Sequence, residues 1–419
     1  MLILFRLFLA FFFVLFVGRA IAPFQQAEVI PTGRSLLVIT SLLLLISFRL
    51  VNPVEIRAIQ RAWSRNSGII LAFLGLVLYY GLLLVLAPNY ATESKDPEIM
   101  MAQPALRLIE LVLAIALGAI IALKFDLKPY CAIALAVLSG SIIVHTLWPS
   151  LYHSLVGETL PWAAGFGVNR NASASAVLFI CSLTLDYRNF KVSDMFWITV
   201  SGIAVLLTMS RGGIIKLAVL GILYVFYQMR RGGRKILVTM SAVIFALSIA
   251  MIVFLNVALE SELFQTHYAQ ERLEGLESWE FRSEEREGLV THSLEAFAQA
   301  PIAGHGYFFH LSSEFGGLGP HNEYLRHALD GGIVALTLFL LATVYGLRCF
   351  ASRGMRSGVV FMILVLMDCF FSHNMLEDTT FVLLYGAALG FSATKPALES
   401  QFTLNHQQRY SAPQETTIG

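Results

Sequence analysis

An arginine next to two glycines is the first candidate for chemistry in this sequence. Arg211 stands in the stretch Met-Ser-Arg-Gly-Gly at 209–213, between two long apolar runs. A guanidinium group binds phosphate oxygens in a bidentate way and keeps its proton, and the glycines let a ligand come close. Arg211 is therefore a candidate cation for an anionic substrate. The alternative is an interfacial anchor that reaches to water from a tight turn.

Two further arginines lie in a polar segment, 280–287, which reads Glu-Phe-Arg-Ser-Glu-Glu-Arg-Glu. Arg282 and Arg286 precede apolar residues at the spacing of a short amphipathic helix. Alternating Glu and Arg is also typical of a solvated helix face with ion pairs between turns. The use of Arg without Lys favours oxyanion binding, and both interpretations stay open.

A histidine in a polar turn is the candidate base. His321 and Asn322 follow Gly-Pro and begin a predicted helix. A neutral imidazole near pH 7 can accept a proton from a hydroxyl, although a histidine at a helix start can also be a cap or a surface residue. Upstream, Gly304 and Gly306 form a tight loop, not a dinucleotide motif, because no βαβ unit surrounds them.

Composition gives no reason to expect a metal, another cofactor or a nucleic acid. The histidine pairs of the polar region lack the spacing of two zinc ligands on one helix face. The net charge is +1, so no general attraction to nucleic acid is implied. The cysteines lie in or beside apolar runs and are predicted to be helix-packing thiols. They are Cys131, Cys181, Cys349 and Cys369.

The chain is predicted to be an all-α polytopic membrane protein. It is 57% hydrophobic and 14% charged, whereas soluble domains are about 25% charged. The first apolar run is interpreted as a retained helix, because it lacks the flanks of a signal peptide. Runs long enough to cross about 30 Å of hydrocarbon predict twelve spans, at 2–18, 34–51, 68–88, 105–123, 129–147, 172–186, 194–209, 212–228, 235–257, 331–348, 357–373 and 379–393.

Charge alternates between the predicted connections. Lysine and arginine occur in every second one, for example Arg188 and Lys191, and such an excess marks the cytoplasmic side. Both termini are then inside. The predicted organisation is 1–257 for helices one to nine, 258–330 for one large periplasmic catalytic loop, 331–393 for helices ten to twelve, and 394–419 for a disordered cytoplasmic tail.

These features resemble the O-antigen ligase and Wzy-type polysaccharide polymerase superfamily, which includes exopolysaccharide polymerases. The family's ligase signature is His-[Asn/Ser/Gln], nine residues, then Gly-x-x-[Gly/Thr/Tyr]. Here His321-Asn322 is followed by nine residues and Gly332-Ile-Val-Ala335. Ala335 departs from the last position of the pattern.

Three more segments carry the resemblance. Ser-Arg-Gly-Gly at 210–213 is similar to the family's arginine at the outer end of a helix. Arg286 stands fifteen residues before Pro301, as in the family's arginine-helix-Pro-x-x-Gly-x-Gly segment, with Val290 where a tryptophan is usual. Gly-Val-Asn-Arg-Asn at 167–171 is similar to the family's turn before its sixth helix.

The resemblance implies a GT-C-like helical fold that acts on an undecaprenyl-diphosphate-linked oligosaccharide, as a metal-independent inverting glycosyltransferase without cofactors. It implies that His321 is the base and that Arg211 and Arg286 stabilise the leaving diphosphate. The residues expected to bind substrate are Arg282, Asn322, Arg170, Asn171, Gly304 and Gly306.

Several functions remain open. A polymerase would use a saccharide acceptor, whereas a ligase would use lipid A-core; the departure at Ala335 favours a polymerase. A transporter or flippase for lipid-linked oligosaccharides is the alternative of another class, but the centres of the predicted spans carry almost no charge. The expected location is the bacterial inner membrane, among its lipids, with the active site periplasmic. Chain-length regulator and flippase proteins are further candidate partners.

Overall fold

The computed structural model describes residues 2–21, 41–42, 60, 64, 66–86, 97–156, 163–167, 169–261, 263, 265–266, 283–311, 319–372, 375–378 and 380–390. All structural statements concern these residues. Within them the backbone forms helices and turns and no strand. The predicted span 34–51 lies almost wholly outside them, as does the predicted tail 394–419.

The α-helices follow one another in a simple order. They are α1 (Leu2–Val17), α2 (Ser67–Leu86), α3 (Pro97–Lys124), α4 (Leu127–Leu147), α5 (Pro149–Val156), α6 (Arg170–Thr184), α7 (Val192–Leu207), α8 (Arg211–Leu259), α9 (Ser283–Gln299), α10 (Glu323–Ser352), α11 (Arg356–Asp368) and α12 (Thr380–Gly390). Short 3-10 helices lie at Phe309–Leu311 and Met375–Glu377.

Many of these helices suit a membrane. Among the described residues, five helical stretches are long and apolar enough to cross one: Ser67–Leu86, Ala105–Ala122, Leu127–Leu147, Arg211–Arg230 and Glu323–Ser352. Large apolar side chains on them point outward, for instance Leu78 and Val85, which are 71% and 76% exposed. The all-α, polytopic class is confirmed in this coarser form, and the predicted count of twelve spans is not confirmed.

One continuous helix, α8, replaces two predicted spans. The sequence predicts spans 212–228 and 235–257 with a basic connection between them, and this division is wrong. Gly232 and Gly233 cost about 1 kcal/mol each in a helix interior, but unlike proline they keep the backbone hydrogen bonds. The alternation of charge therefore does not fix the number of spans by itself.

Close backbone contacts and aromatic side chains packed edge-on or tilted hold the core together. Phe179 of α6 packs against Phe361 of α11 and Phe381 of α12, with ring centroids 5.6 and 5.8 Å apart. A Cβ added to Gly118 of α3 would lie 2.1 Å from the carbonyl oxygen of Leu383 in α12. Small residues permit such close helix approach where the hydrophobic effect between helices is weak.

Contacts between helix ends define one end of the bundle, called the basic end. Gln228 of α8 donates a hydrogen bond to Asp186 O at 2.7 Å. Arg356, the first residue of α11, donates from Nη1 to Tyr187 O, also at 2.7 Å. The turn between α6 and α7 therefore lies beside the start of α11. Basic residues at these helix ends and turns are Lys128, Arg188, Lys191, Arg353 and Arg356.

Candidate functional site

The start of α6 lies at the opposite end of the bundle and carries two of the predicted binding residues. Asn169 caps the helix, because its Oδ1 accepts hydrogen bonds from the backbone N–H of Asn171 at 2.8 Å and of Ala172 at 3.4 Å. Arg170 is the first residue of α6 and is half-buried. Asparagine is among the preferred helix caps, so the local sequence explains where α6 begins.

The start of α8 is built in the same way and is joined to α6. Ser210 caps α8, accepting a hydrogen bond from Gly213 N at 3.1 Å. Its hydroxyl lies 2.8 Å from Asn171 Oδ1 and donates to it. A Cβ on Gly213 would lie 2.8 Å from Ala174 Cβ. Glycine is needed here because the first turns of α6 and α8 come so close.

Arg170 and Arg211 consequently occupy the first positions of two linked helices. A helix N-terminus carries roughly half a positive charge, so a cation there does not favour the helix. The same N-terminus favours a bound anion, since its first N–H groups lack intrahelical partners. Two half-buried arginines at the starts of two joined helices are therefore a candidate position for adjacent phosphate groups.

The segment after α11 brings the start of α10 to this position. A Cβ on Gly212 would lie 3.1 Å from the ring of Phe371. The carbonyl of Cys369 accepts a hydrogen bond from Glu323 N at 2.8 Å, and Glu323 Oε2 accepts one from Met375 N at 3.2 Å. The starts of α6, α8 and α10 thus meet, and this region is called the site end.

His321 lies at the site end in an unusual backbone conformation. Its φ is 47°, in the left-handed region that non-glycine residues rarely occupy and that is enriched at functional sites. The imidazole is half-buried. Asn322 caps α10, its Oδ1 accepting from Tyr324 N at 3.0 Å and Leu325 N at 3.1 Å. Asn322 therefore fixes the start of α10 directly after His321.

The loop after α9 docks into a break in α10. Gly331 and Gly332 have non-helical backbone angles, and the φ of Gly332 is 65°. Gly304, whose φ is 71°, sits against this break: a Cβ there would lie 2.5 Å from the backbone nitrogens of both glycines. Gly304, a predicted binding residue, therefore lets the backbone of the loop contact the backbone of α10 at Gly331 and Gly332.

Hydrogen bonds fix the docked loop. His305 N donates to Leu329 O at 2.9 Å, and Gly306 N donates to Asp330 O at 3.0 Å. The carboxylate of Asp330 accepts from His310 N at 3.0 Å and from His310 Nδ1 at 2.7 Å. The break exposes carbonyls of α10, and the loop satisfies them, as buried backbone groups require.

Helix α9 packs on α10 beside this loop. Ala296, Phe309 and Leu329 form a small buried apolar cluster. Arg286 lies in the first turn of α9, but its side chain is outside the described part of the chain, and Arg282 is outside it altogether. The predicted roles of these two arginines stay predictions.

A comparison with protein families bears on the same elements. Residues 195–340 match the family model of O-antigen ligase. The matched stretch runs from α7 into α10 and contains Arg211, Arg286 and His321. It confirms the resemblance to the O-antigen ligase and Wzy-type superfamily. A comparison with curated proteins gave no match.

The matched segment also contains a buried charged cluster that the sequence reasoning did not single out. Glu323, Arg326 and Asp330 are buried in α10, with Arg326 Nη1 3.3 Å from Glu323 Oε1 and Arg326 Nε 3.8 Å from Asp330 Oδ2. His327 hydrogen-bonds the hydroxyl of Tyr80. The sequence does contain a signal for this cluster, because opposite charges three and four residues apart meet on one face of a helix. Within the described residues, no three His, Cys, Asp or Glu side chains are grouped to hold a metal ion.

A second buried ion pair lies just inside the site end. Lys216 Nζ pairs with Asp368 Oδ1, and the two side chains are 2% and 7% exposed. The hydroxyl of Ser175 lies 2.8 Å from the same carboxylate oxygen. The three residues belong to α8, α11 and α6, so they tie together the helices whose ends form the site. A pair separated by 152 residues leaves no local signal in the sequence.

Proposed function

We propose that the protein is a membrane glycosyltransferase that moves an oligosaccharide from undecaprenyl diphosphate to the hydroxyl of an acceptor sugar. One observation carries the proposal: Arg170 and Arg211 begin two linked helices, beside the helix start that bears His321. A lipid-linked diphosphate matches this position, because it presents two adjacent phosphate groups at the membrane surface. The O-antigen ligase match supports transfer of this type.

The proposed step is a single displacement. The acceptor hydroxyl attacks the anomeric carbon while the bond from that carbon to the carrier's diphosphate breaks, which inverts the configuration. His321 accepts the hydroxyl proton. Arg211 and Arg286 offset the charge that develops on the leaving diphosphate, as preorganised cations do in transition states. The proposed step uses no nucleotide sugar, metal or other cofactor.

The remaining predicted residues have supporting roles in this proposal. Arg170 and Arg282 bind phosphate oxygens, and Asn171 and Asn322 place the first turns of α6 and α10. Gly304, together with Gly306, holds the loop after α9 against α10. The hydrogen bonds of Asn171 and Asn322 and the close contact of Gly304 at the site end support their part of the proposal.

Charge distribution supports an orientation. Lysine and arginine concentrate at the basic end, and such residues mark the cytoplasmic side of bacterial inner-membrane proteins. We therefore place the site end in the periplasm and both chain termini in the cytoplasm. A donor on the periplasmic side must arrive attached to the membrane, which suits a polyprenyl carrier.

For the acceptor we propose another lipid-linked saccharide, which makes the enzyme a polymerase. Ligation to lipid A-core is the second candidate, favoured by the description of the matching family. The departure at Ala335 favours polymerase only weakly. Ala335 is buried, and a Cβ on Gly331 would lie 2.4 Å from Ala335 Cβ, so this position packs the break in α10. Its effect on acceptor choice would be indirect.

A reconstituted reaction tests the proposal. Purified protein in lipid vesicles is supplied with a synthetic undecaprenyl-diphosphate oligosaccharide, with and without an acceptor saccharide, and released carrier diphosphate is measured. We expect release that depends on the acceptor. Movement of the donor across the bilayer without release would instead identify a transporter. In cells, loss of a polymerase leaves single repeat units, whereas loss of a ligase leaves full-length chains on the carrier.

A further inference from the structure

A cavity opens at the basic end, far from the proposed catalytic site. It has a volume of about 290 Å³ and lies between the starts of α4 and α11 and the turn that follows α6. The fifteen residues of α6 separate it from the site end, a distance of roughly 22 Å at 1.5 Å per residue. Small-molecule sites usually occupy roughly 300–1,000 Å³, so the cavity suits a group as large as a lipid headgroup.

Three of the five charged residues that line the cavity are basic. Asp186 is already paired, since Lys191 Nζ lies 2.9 Å from its Oδ2 and the backbone N–H of Arg188 donates to its Oδ1 at 2.9 Å. The Oδ1 of Asp126 accepts from Lys128 N at 3.2 Å and caps α4. Both acids therefore have local donors. The charged residues that line the cavity are Asp126, Lys128, Asp186, Arg188 and Arg356.

A helix N-terminus contributes to the same wall. Helix α11 begins at Arg356, and Met355 in the cap position supplies no side-chain hydrogen bond. Ser357 and Gly358, in the first turn, line the cavity. The first N–H groups of a helix have no carbonyl partner within it and favour an anion.

Most of the remaining lining is apolar. Leu127, Leu183, Leu185 and Ala388 lie beside the charged residues. A free inorganic anion gains nothing from such a surface, whereas the glycerol and first methylene groups of a lipid do. The combination matches an amphiphile at the boundary between headgroups and acyl chains.

We infer that this cavity binds the phosphate group of an anionic membrane lipid. Lys128, Arg188 and Arg356 come from three different elements and converge with the start of α11 on one volume. Charge-assisted hydrogen bonds to phosphate are the strong ones, and basic pockets between transmembrane helices at the cytoplasmic surface select anionic headgroups. The inference is independent of the proposed transfer reaction, because the cavity lies at the other end of the bundle.

A lipid titration of the full-length protein tests the inference. The purified protein in a neutral detergent is titrated with short-chain phosphatidylglycerol, with short-chain phosphatidylcholine and with inorganic phosphate, and bound ligand is counted by native mass spectrometry. We expect saturable binding of phosphatidylglycerol and much weaker binding of the other two. Lys128→Gln and Arg188→Gln should each weaken that binding roughly tenfold, the worth of a charge-assisted hydrogen bond.

The matched control is Arg348→Gln, which removes an exposed arginine near the same end but outside the cavity. It should leave the affinity unchanged. An equal loss in the control, or equal affinity for phosphatidylcholine, would overturn the inference. Inorganic phosphate binding as tightly as phosphatidylglycerol would overturn the lipid assignment. Arg188 is exposed, so its variant should keep the wild-type unfolding curve and remain informative even if Lys128→Gln does not fold.

Discussion

Removing Lys216 should be among the most damaging single changes away from the proposed catalytic residues. Lys216→Met leaves the Asp368 carboxylate buried, with the Ser175 hydroxyl 2.8 Å away but without its cation. Breaking a buried ion pair by removing one partner costs about 3–5 kcal/mol, because the other charge is left uncompensated. We expect a loss of this size in the free energy of unfolding.

The comparison variants make the prediction specific. In Lys216→Met/Asp368→Leu both charges are replaced by apolar groups, so most of the lost stability should return. Lys191→Met removes an ion pair whose lysine is half exposed, 2.9 Å from Asp186, and exposed pairs are worth about 0–1 kcal/mol. Lys191→Met should therefore cost far less than Lys216→Met.

Unfolding by sodium dodecyl sulfate, followed by circular dichroism, measures these differences in purified protein. The physical reasoning fails if Lys216→Met lowers the free energy of unfolding by no more than Lys191→Met does. It also fails if the double variant loses as much free energy of unfolding as Lys216→Met and the single variant Asp368→Leu lose when their separate losses are added. Transfer activity should fall in parallel with stability, because the pair joins the helices that carry Asn171, Arg211 and Cys369.

Three further changes have defined outcomes. Gly304→Ala should cost on the order of 1–3 kcal/mol, because φ is 71° and the new Cβ meets Gly331 N; unchanged unfolding would contradict the docking of the loop. Asp330→Asn should raise proteolysis of the loop after α9, since a carboxylate acceptor of His310 is lost; wild-type protection would argue against this role. Partial burial acts to raise the pKa of Asp186, but hydrogen bonds from Lys191 and two backbone N–H groups lower it to about 2. A lowered carboxyl pKa stabilises the fold above about pH 4 and this contribution disappears as pH falls towards 2. The free energy of unfolding of Asp186→Asn should lack this pH-dependent contribution. If the free energy of unfolding changed with pH identically in the wild type and in Asp186→Asn, the pairing would be contradicted.

The helix starts at the site end were predictable because their signals are local. Asn169, Ser210 and Asn322 each stand directly before a helix, and each caps it. Short polar side chains favour this position by accepting hydrogen bonds from the first turn. The predicted placement of Arg211 and His321 at helix starts therefore needed no knowledge of the tertiary structure.

The features that sequence reasoning missed depend on contacts between distant segments. Gly331 and Gly332 mark the break in α10, where the loop containing Gly304 packs into it. The partner of Lys216 lies 152 residues away. The prediction of a connection between spans 212–228 and 235–257 failed for the converse reason: a local run of basic residues indicated a connection, whereas α8 continues through it as one helix.

The most direct test of the proposed site is the rate of undecaprenyl diphosphate release by Arg211→Ala, Arg286→Ala and His321→Ala, each purified and reconstituted with donor and acceptor. We expect every variant to lose roughly 100-fold or more, the usual contribution of a general base or a transition-state cation, while wild-type unfolding curves are retained. Arg348→Gln, an exposed arginine at the other end, should keep the wild-type rate. Wild-type rates in all three alanine variants would contradict the proposed chemistry.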